Sequence, residues 1–469
     1  MISAQVLSLM TALIQAPVPS YGGDIVIYER ASGESILPGL TDTTGTKLIN
    51  EAVFESLFTI DKNGKLVGQL AQDGFSYRDG VLKFKLRSHI LLHNGETLQP
   101  RHIIDHFSRL TDRKYRAKHI VAPFTNLESS PNNQKVNISF SPQSSEFQIR
   151  TQPPYPDIAR LLASPRAAVS VGNFGTGPFR LERDEPITAV SFLQHRRGAP
   201  YVDKLFYRPG ISPFKARAAL RSGEADIVFG VDKLDRKTEN FGSRYESKRY
   251  EKFIVLQVGT RSRDLINASD LNNLRSAFNR KQLARRYLSG NAAPATNFFA
   301  HNQTLPRARK FERSRRERSM IVNKDSLASI RFAERIQFEL VKRGLIVKVE
   351  SLAGSDFKQR IADEEFDFAL RSLTLNQTSP DSIASKLHRL LEVASDHQVF
   401  DEISDAKRMS DFAFASRKEQ SSLLAKLERD LREAARFIVI AKQVPVSFWR
   451  KTLSNHDNGP TQLENLEKR

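Results

Sequence analysis

The chain has 469 residues, 39% of them hydrophobic, which is too long for one ordinary core and leads us to expect two or three lobes. Its 72 Lys and Arg against 53 Asp and Glu leave +19 with histidines neutral, a surplus that favours anionic partners (nucleic acid, an anionic membrane surface, acidic ligands) and says nothing of fold. There is no cysteine, which excludes disulfides, thiolate catalysis, Cys-ligated metals and the acylated cysteine of a bacterial lipoprotein.

In chain order, residues 1–21 read as a leader. Val6, Leu7, Leu9, Met10, Leu13 and Ile14 make a short apolar stretch ending near Ala16, and Pro17, Pro19 and Gly22-Gly23 open the domain. No Lys or Arg precedes Arg30, so a basic n-region is missing, and a short apolar helix is the other reading. Neither reading makes a retained anchor, and no later stretch is apolar for long enough to span a bilayer.

Leu82, Phe84 and Leu86 then alternate with Lys83, Lys85 and Arg87, the period of a half-buried strand. His93-Asn94-Gly95 breaks the pattern with a turn. Pro100 suits the first turn of a helix, where its missing N–H costs nothing. Ile103, Ile104, Phe107 and Leu110 follow at helical spacing, with Arg101, Asp105 and Arg109 on the wet side. Pro153-Pro154-Tyr155-Pro156 and the glycine-rich stretch 172–177 bracket a short helix-like segment at 157–162, a natural place for the chain to pass between lobes. Gly175-Thr176-Gly177-Pro178-Phe179 contains two glycines, but a proline and strand-like residues follow. No helix N-terminus is offered to a phosphate, and the segment reads as a tight turn at a lobe crossover. Residues 332–340 predict a helix closed by Gly344, and Ile346, Val347 and Val349 a strand. Leu424, Leu427, Leu431 and Ala434 mark a late helix supported by the i,i+4 pair Glu428–Arg432. Residues 437–441 read as a strand returning to the first lobe.

A search for catalytic chemistry finds no GxxxxGKS/T, no HExxH and no GxSxG on a strand–turn–helix. His89 and His93 lie in an extended or turn segment, where four residues span ~13 Å, too far for one metal; they read as structural. Glu364-Glu365, and Asp381 beside Pro380, read as ordinary solvated carboxylates. No enzymatic activity, cofactor or metal is expected.

The block from Leu82 to Leu110 resembles the "F-x-L-R…h-D-G-x-P-l-x-A-x-D-V" signature of the family 5 extracellular solute-binding proteins, the receptors of dipeptide, oligopeptide and nickel ABC importers. Further anchors occur in family order. Tyr21-Gly22-Gly23-Asp24-Ile25-Val26-Ile27 is similar to the opening Gly-Gly and strand. Residues 50–58 with Asp61 and Gly64, then Gln69-Leu70-Ala71, are similar to the next two. Gly175-Thr176-Gly177-Pro178-Phe179 is similar to the family's GTGPY/F almost letter for letter. Residues 220–228 (LRSGEADIV), 274–283 (LRSAFNRKQL) and Phe366-Asp367-Phe368-Ala369 supply the rest. Together these cover nearly the whole chain.

The resemblance implies a mixed α/β fold of the periplasmic-binding-protein type II, with two main lobes around a hinge plus an inserted third subdomain. The expected division is a discontinuous lobe I (22–48, 168–250, 441–469), an inserted subdomain II (49–167) and a lobe III (251–440). It implies an interlobe cleft. By register from Phe54-Glu55-Ser56-Leu57, the loop whose backbone runs along the ligand as an added strand corresponds to Thr44, Gly45 and Thr46; the other reading is a plain Gly/Thr turn. On the opposite lobe the expected contacts are Arg371, Leu373, Thr374, Leu375 and Asn376. Family peptide binders carry an aromatic at the position of Leu373 and, at that of Asn376, an aspartate that pairs with the ligand's ammonium. The replacement removes a charge-assisted bond, so either Asp381 supplies the charge or the ligand lacks a free amine. Arg371 would suit an acidic ligand, or be an ordinary solvated or salt-bridged arginine.

The arginine-rich run 307–318 has two readings, a site for an anionic partner such as lipid headgroups or nucleic acid and a solvated connector of lobe III; with one Phe it lacks the interleaved aromatics of a nucleic-acid domain, and the connector is the favoured reading. The expectation is therefore an exported, periplasmic or extracytoplasmic receptor. It captures a peptide-like or small polar ligand, works as a monomer, delivers to an ABC permease, meets the membrane only through that permease and binds no nucleic acid. The alternative is a ligand-sensing or regulatory module on the same fold; no helix-turn-helix precedes Gly22 to support it.

Overall fold

The computed structural model describes residues 21–468 except 31–34, 41–42, 62, 112–117, 126–135, 185, 232–237, 247–249, 266, 289–291, 300–303, 312–315, 325–326, 377–382, 397–401, 445, 456–462 and 464–465. The expected leader, Asp381 and the middle of the arginine run thus lie outside the described residues.

Two large mixed sheets carry the architecture. The first has seven strands in the spatial order Gly242–Glu246, Val446–Arg450, Ile227–Phe229, Asp24–Glu29, Lys204–Arg208, Ile187–Ser191 and Phe179–Asp184. Its central strand Asp24–Glu29 lies parallel to both neighbours, and Ile25 and Ile27 are fully buried, as expected of a strand enclosed within a parallel core. The second has six strands: Ala292–Pro294, Phe437–Gln443, Tyr250–Val258, Phe368–Asn376, Glu317–Asn323 and Ile346–Leu352. Between the first and later strands of the first sheet lies an insertion built on a four-stranded antiparallel sheet, Ser76–Arg78, Val81–Phe84, Glu146–Arg150 and Ile138–Ser141.

The insertion forms as its period predicts. Leu82 and Phe84 are buried while Lys83 and Lys85 are exposed. Phe84 stacks on its cross-strand partner Phe147 with ring centroids 5.1 Å apart, a pair that fixes register. Pro100 opens the helix Pro100–Arg109, and Ile103 and Phe107 bury completely beneath it. The insertion does not have a core of its own. Its apolar cluster runs on through Phe253, Val255, Leu373 and Leu375 of the second sheet to the helices Ile383–Asp396, Glu402–Phe414 and Arg417–Ala434. A second cluster packs the other face of that sheet under Ala268–Ser276, Arg280–Tyr287 and Leu327–Val341. A third belongs to the first sheet and the helix Thr44–Val53.

Two expectations are corrected. The boundary at 48/49 falls inside the helix Thr44–Val53, whose Ile49, Ala52 and Val53 pack into the first lobe; the insertion's cluster begins at Leu57. Residues 437–441 do not return to the first lobe. Phe437–Gln443 is a strand of the second sheet, paired with Tyr250–Val258. Phe437 and Val439 face one apolar cluster and Ile438 and Ile440 the other, so a strand buried on both sides is held centrally. The return is made by Val446–Arg450, so lobe III extends past 440. The expected i,i+4 pair Glu428–Arg432 is present (Nε to Oε1 4.0 Å), and it is buried. Glu428 is 1% exposed and accepts the backbone N–H groups of Phe298 (2.5 Å) and Phe299 (3.1 Å), while Arg432 Nη1 donates to the Thr296 carbonyl (3.3 Å).

The chain passes between the two large sheets twice, once after Glu246 and before Tyr250 and once after Gln443 and before Val446. The same two stretches pair on both sides: Gly242–Glu246 with Val446–Arg450 in the first sheet, Tyr250–Val258 with Phe437–Gln443 in the second. The lobes are thus joined by a two-stranded connection.

Candidate functional site

Strand directions fix which ends of the sheets meet at this connection. In the first sheet Phe229 pairs with Ser447, next to the crossing, and Glu29 pairs with Phe229. The carboxyl ends of the parallel strands therefore point at the crossing. In the second sheet Asn376 pairs with Tyr250, the first strand residue after the crossing, and Glu317–Asn323 runs parallel to Phe368–Asn376. Both lobes turn the carboxyl ends of parallel strands toward one another, the usual place for a ligand in open α/β sheets.

On the first lobe this end is organised by Glu29. Its buried carboxylate accepts hydrogen bonds from Tyr207 OH (2.5 Å), Thr43 Oγ1 (2.7 Å) and the Gly45 backbone N–H (3.0 Å). An anion here also meets the positive end of the helix Thr44–Val53. Thr43 and Thr46 close a reciprocal capping box, so the helix starts one residue after Thr43. Gly45 is required by the close approach: a Cβ would lie 2.4 Å from Glu29 Oε2 and 2.6 Å from the Tyr207 ring. This corrects the expected loop. Thr44, Gly45 and Thr46 form the first helical turn, the N–H groups of Gly45 and Thr46 are already used, and Thr46 is fully buried. They cannot serve as an added strand; Thr44 alone is half-buried.

On the second lobe, alternation along Phe368–Asn376 puts Arg371, Leu373 and Leu375 on one face, and that face is covered. Leu373 and Leu375 belong to the large apolar cluster. Half-buried Arg371 donates from Nη1 to Gln257 Oε1 (2.8 Å) and lies 6.0 Å from the Phe437 ring. These three side chains are core and core-edge residues. Thr374 and Asn376 occupy the opposite register, at the end nearest the crossing.

Sequence reasoning missed what lies across from Leu375. Glu251, one residue past Tyr250, bridges Lys442 Nζ (2.5 Å) and the Arg389 guanidinium, and Arg389 stacks 4.2 Å from the Phe299 ring. Two cations share one carboxylate, on the face of the sheet that carries Leu373 and Leu375. No local signal announces this trio, because Arg389 and Lys442 lie 138 and 191 residues from Glu251 along the chain and only the sheet register and the helix packed on it bring them together. Elsewhere, a hollow of about 420 Å³ lined by Thr260, Arg261, Asp264 and Arg316 opens at the opposite end of the second sheet, away from the crossing. Its charges are largely compensated: Arg316 pairs with Asp367 (2.8 Å), Arg318 with Asp264 and Arg261 with Glu365 (3.5 Å). Among the described residues no group of three or more His, Asp or Glu is placed to hold a metal, and no helix is long and apolar enough to cross a membrane.

The crossover between first lobe and insertion is locked by a second buried polar knot. The His93 ring lies between two glycines of the 175–179 segment. Its Nε2–H donates to the Gly177 carbonyl (3.0 Å), and its Nδ1 accepts from Gly175 N–H (3.2 Å). That pattern demands the neutral ring, and burial pushes its pKa down to about 4; burial likewise pushes His106 down to about 3. Both values lie below the unfolded value near 6.5. Below that pH the unfolded chain takes up protons that the folded chain refuses. Stability is complete above about 6.5, falls as pH drops toward the folded pKa values, and levels off beneath them. Each histidine contributes about 1.4 kcal/mol per pH unit within its window, or roughly 3 kcal/mol for His93. Urea midpoints measured from pH 7 to pH 4 should show this decline, and His93→Gln, which keeps one donor and one acceptor, should reduce its slope by about one proton.

Comparison with known proteins agrees with this architecture. The model of "Bacterial extracellular solute-binding proteins, family 5 Middle" matches residues 65–388. A putative ABC transporter peptide-binding protein of Brucella melitensis is 32% identical over 141 residues, covering 29% of this chain and 26% of the relative. The glutathione-binding protein of Escherichia coli is 24% identical over 310 residues, covering 62% and 58%. The matched stretch thus spans about a quarter of the length of the first of these curated relatives and somewhat over half of the second. The oligopeptide-binding protein AppA of Bacillus subtilis, in complex with a nonapeptide, superposes with a TM-score of 0.76 at 15% identity, covering 96% of this chain and 100% of that one, and so shares the fold. With the family matched over most of its length, and with two lobes joined by paired strands, the chain belongs to the family 5 bacterial extracellular solute-binding proteins.

Proposed function

We propose that this chain is the capturing receptor of an ABC importer, working outside the cytoplasmic membrane as a monomer. It takes a peptide-like or small polar solute between its lobes and breaks no bond of it. The observation that carries this reading is the two-stranded connection, toward which both sheets aim the carboxyl ends of their parallel strands. Such a connection permits hinge closure, and closure is driven only by the ligand's preference for the closed arrangement. The relatives named for peptide and glutathione binding support the ligand class.

The Thr44 end of the first helix and the Thr374–Asn376 end of the second lobe's strand are the proposed margins of the cleft. Arg371, Leu373 and Leu375 act from beneath, by fixing the strand. Ligand at a hundred times its Kd should stabilise the protein by about 2.7 kcal/mol. A peptide and small-solute library that leaves the melting temperature unmoved would remove the receptor reading. Asn376→Asp should tighten binding of free-amine peptides roughly tenfold by restoring a charge-assisted bond. Unchanged affinity would place Asn376 outside the pocket.

A further inference from the structure

We propose that the outer face of the second lobe docks onto an anionic phospholipid bilayer, a role beyond solute capture and independent of it. The face centres on the end of the helix Leu327–Val341 and the start of the edge strand Ile346–Leu352. Phe338, Val341 and Ile346 stand 45%, 50% and 45% exposed there. Lys342 and Arg335 sit over the Phe338 ring, with charge centres 4.6 and 4.5 Å from its centroid; Arg335 is neutralised by its ion pair with Glu339, so the unscreened cation here is Lys342.

The described part of the arginine-rich run lies against the same place. Phe311 anchors it in the core, Phe311 N–H donates to the Arg343 carbonyl (2.7 Å), and Arg343 Nη1 donates to the Ala308 carbonyl (3.2 Å). Arg307, Arg309 and Lys310 are thereby held exposed beside the apolar group. The described residues 307–311 are pinned into a basic rim, whereas the end of the run enters the strand Glu317–Asn323, where Arg318 is buried.

Apolar tips enclosed by cations fit a headgroup layer: the tips enter the acyl boundary and the cations meet lipid phosphates. Nucleic acid would use the cations and leave Val341 and Ile346 without a role, since phosphates offer no apolar contact. An acidic protein would use the same charges, and the experiment separates it.

The full chain is sedimented with vesicles of phosphatidylglycerol and phosphatidylcholine, and with pure phosphatidylcholine. Binding is expected to the anionic vesicles alone and to weaken with salt. The double reversal R309E/K310E should lower partitioning roughly twentyfold or more. Phe338→Trp should blue-shift its emission on anionic vesicles, against the buried signal of Trp449. No preference for anionic vesicles, or unchanged partitioning of the reversal, overturns the proposal. Retention on polyglutamate or duplex DNA without vesicle binding also overturns it, in favour of another polyanion. The melting shift given by solute reads the receptor function separately: it persists if only the docking idea fails.

Discussion

Glu55→Ala is expected to cost about 3–5 kcal/mol of folding stability, measured by urea unfolding at neutral pH, the range for removing one partner of a buried ion pair. Glu55 is 1% exposed and stands where three parts of the chain meet. Its carboxylate accepts from Thr176 Oγ1 of the crossover segment (3.0 Å) and from Arg196 Nη2 of the first lobe (3.0 Å). Arg197 Nη2 and His195 Nε2 each lie 3.6 Å away. Burial alone would raise its pKa, but the His195 ring and the Arg196 and Arg197 guanidinium groups hold it below the ordinary carboxylate value. Removing the carboxylate leaves His195 and the guanidinium of Arg196 clustered without their counter-charge. Glu55→Gln keeps the shape and a Thr176 contact and should cost less. Its pH profile is the sharper readout. Glu55 contributes fully above its unfolded pKa near 4.5, and that contribution fades as pH falls through the lower folded value. The glutamine variant should lose this added acid sensitivity. A wild-type profile identical to that of the variant below pH 4.5 would show that the carboxylate is not held down.

This knot also marks the limit of what the sequence makes legible. Local periodicity found Val81–Phe84, Pro100–Arg109, Leu327–Val341 and Arg417–Ala434, because alternation, a first-turn proline and a glycine stop are all written within a few residues. The family resemblance put them in order. Failure came where distant segments decide. Thr44-Gly45-Thr46 looks like a turn; it is helical because Glu29 and Tyr207, 16 and 162 residues from Gly45, supply a carboxylate and a ring against it. The stretch 437–443 reads as a strand, but its sheet is chosen by apolar clusters on both sides. The resemblance implied a ligand contact at Leu373, yet the helices Ile383–Asp396, Glu402–Phe414 and Arg417–Ala434 share the apolar cluster on its face. The hinge-end trio Glu251, Arg389 and Lys442 exists only once two sheet registers are known.

Gly177→Ala and Gly175→Ala should each destabilise the protein by about 3 kcal/mol or more, whereas Gly172→Ala, in the same short stretch, should cost only about 1 kcal/mol. The order is opposite to what turn chemistry alone suggests. Gly172 has φ +60° but open space where a Cβ would go, so alanine meets only left-handed backbone strain. Gly175 and Gly177 lack that conformation and are blocked instead. A Cβ on Gly175 would lie 2.1 Å from the Val53 carbonyl oxygen, and one on Gly177 2.5 Å from that of Ala52. Both obstacles are backbone atoms at the carboxyl end of the helix Thr44–Val53, with no side chain to swing aside. The Gly177 N–H also donates to the Val53 carbonyl (3.0 Å). The two glycines of the crossover motif therefore exist to let one backbone touch another. Relief of the clash must move the helix, and a helix pushed at its last turn carries its first turn with it. Because that first turn is the proposed first-lobe margin of the cleft, the alanine variants should lose part of the solute-induced rise in melting temperature as well as stability, while Gly172→Ala keeps it whole. Equal unfolding costs at all three positions would mean that the helix and the crossover do not press on one another.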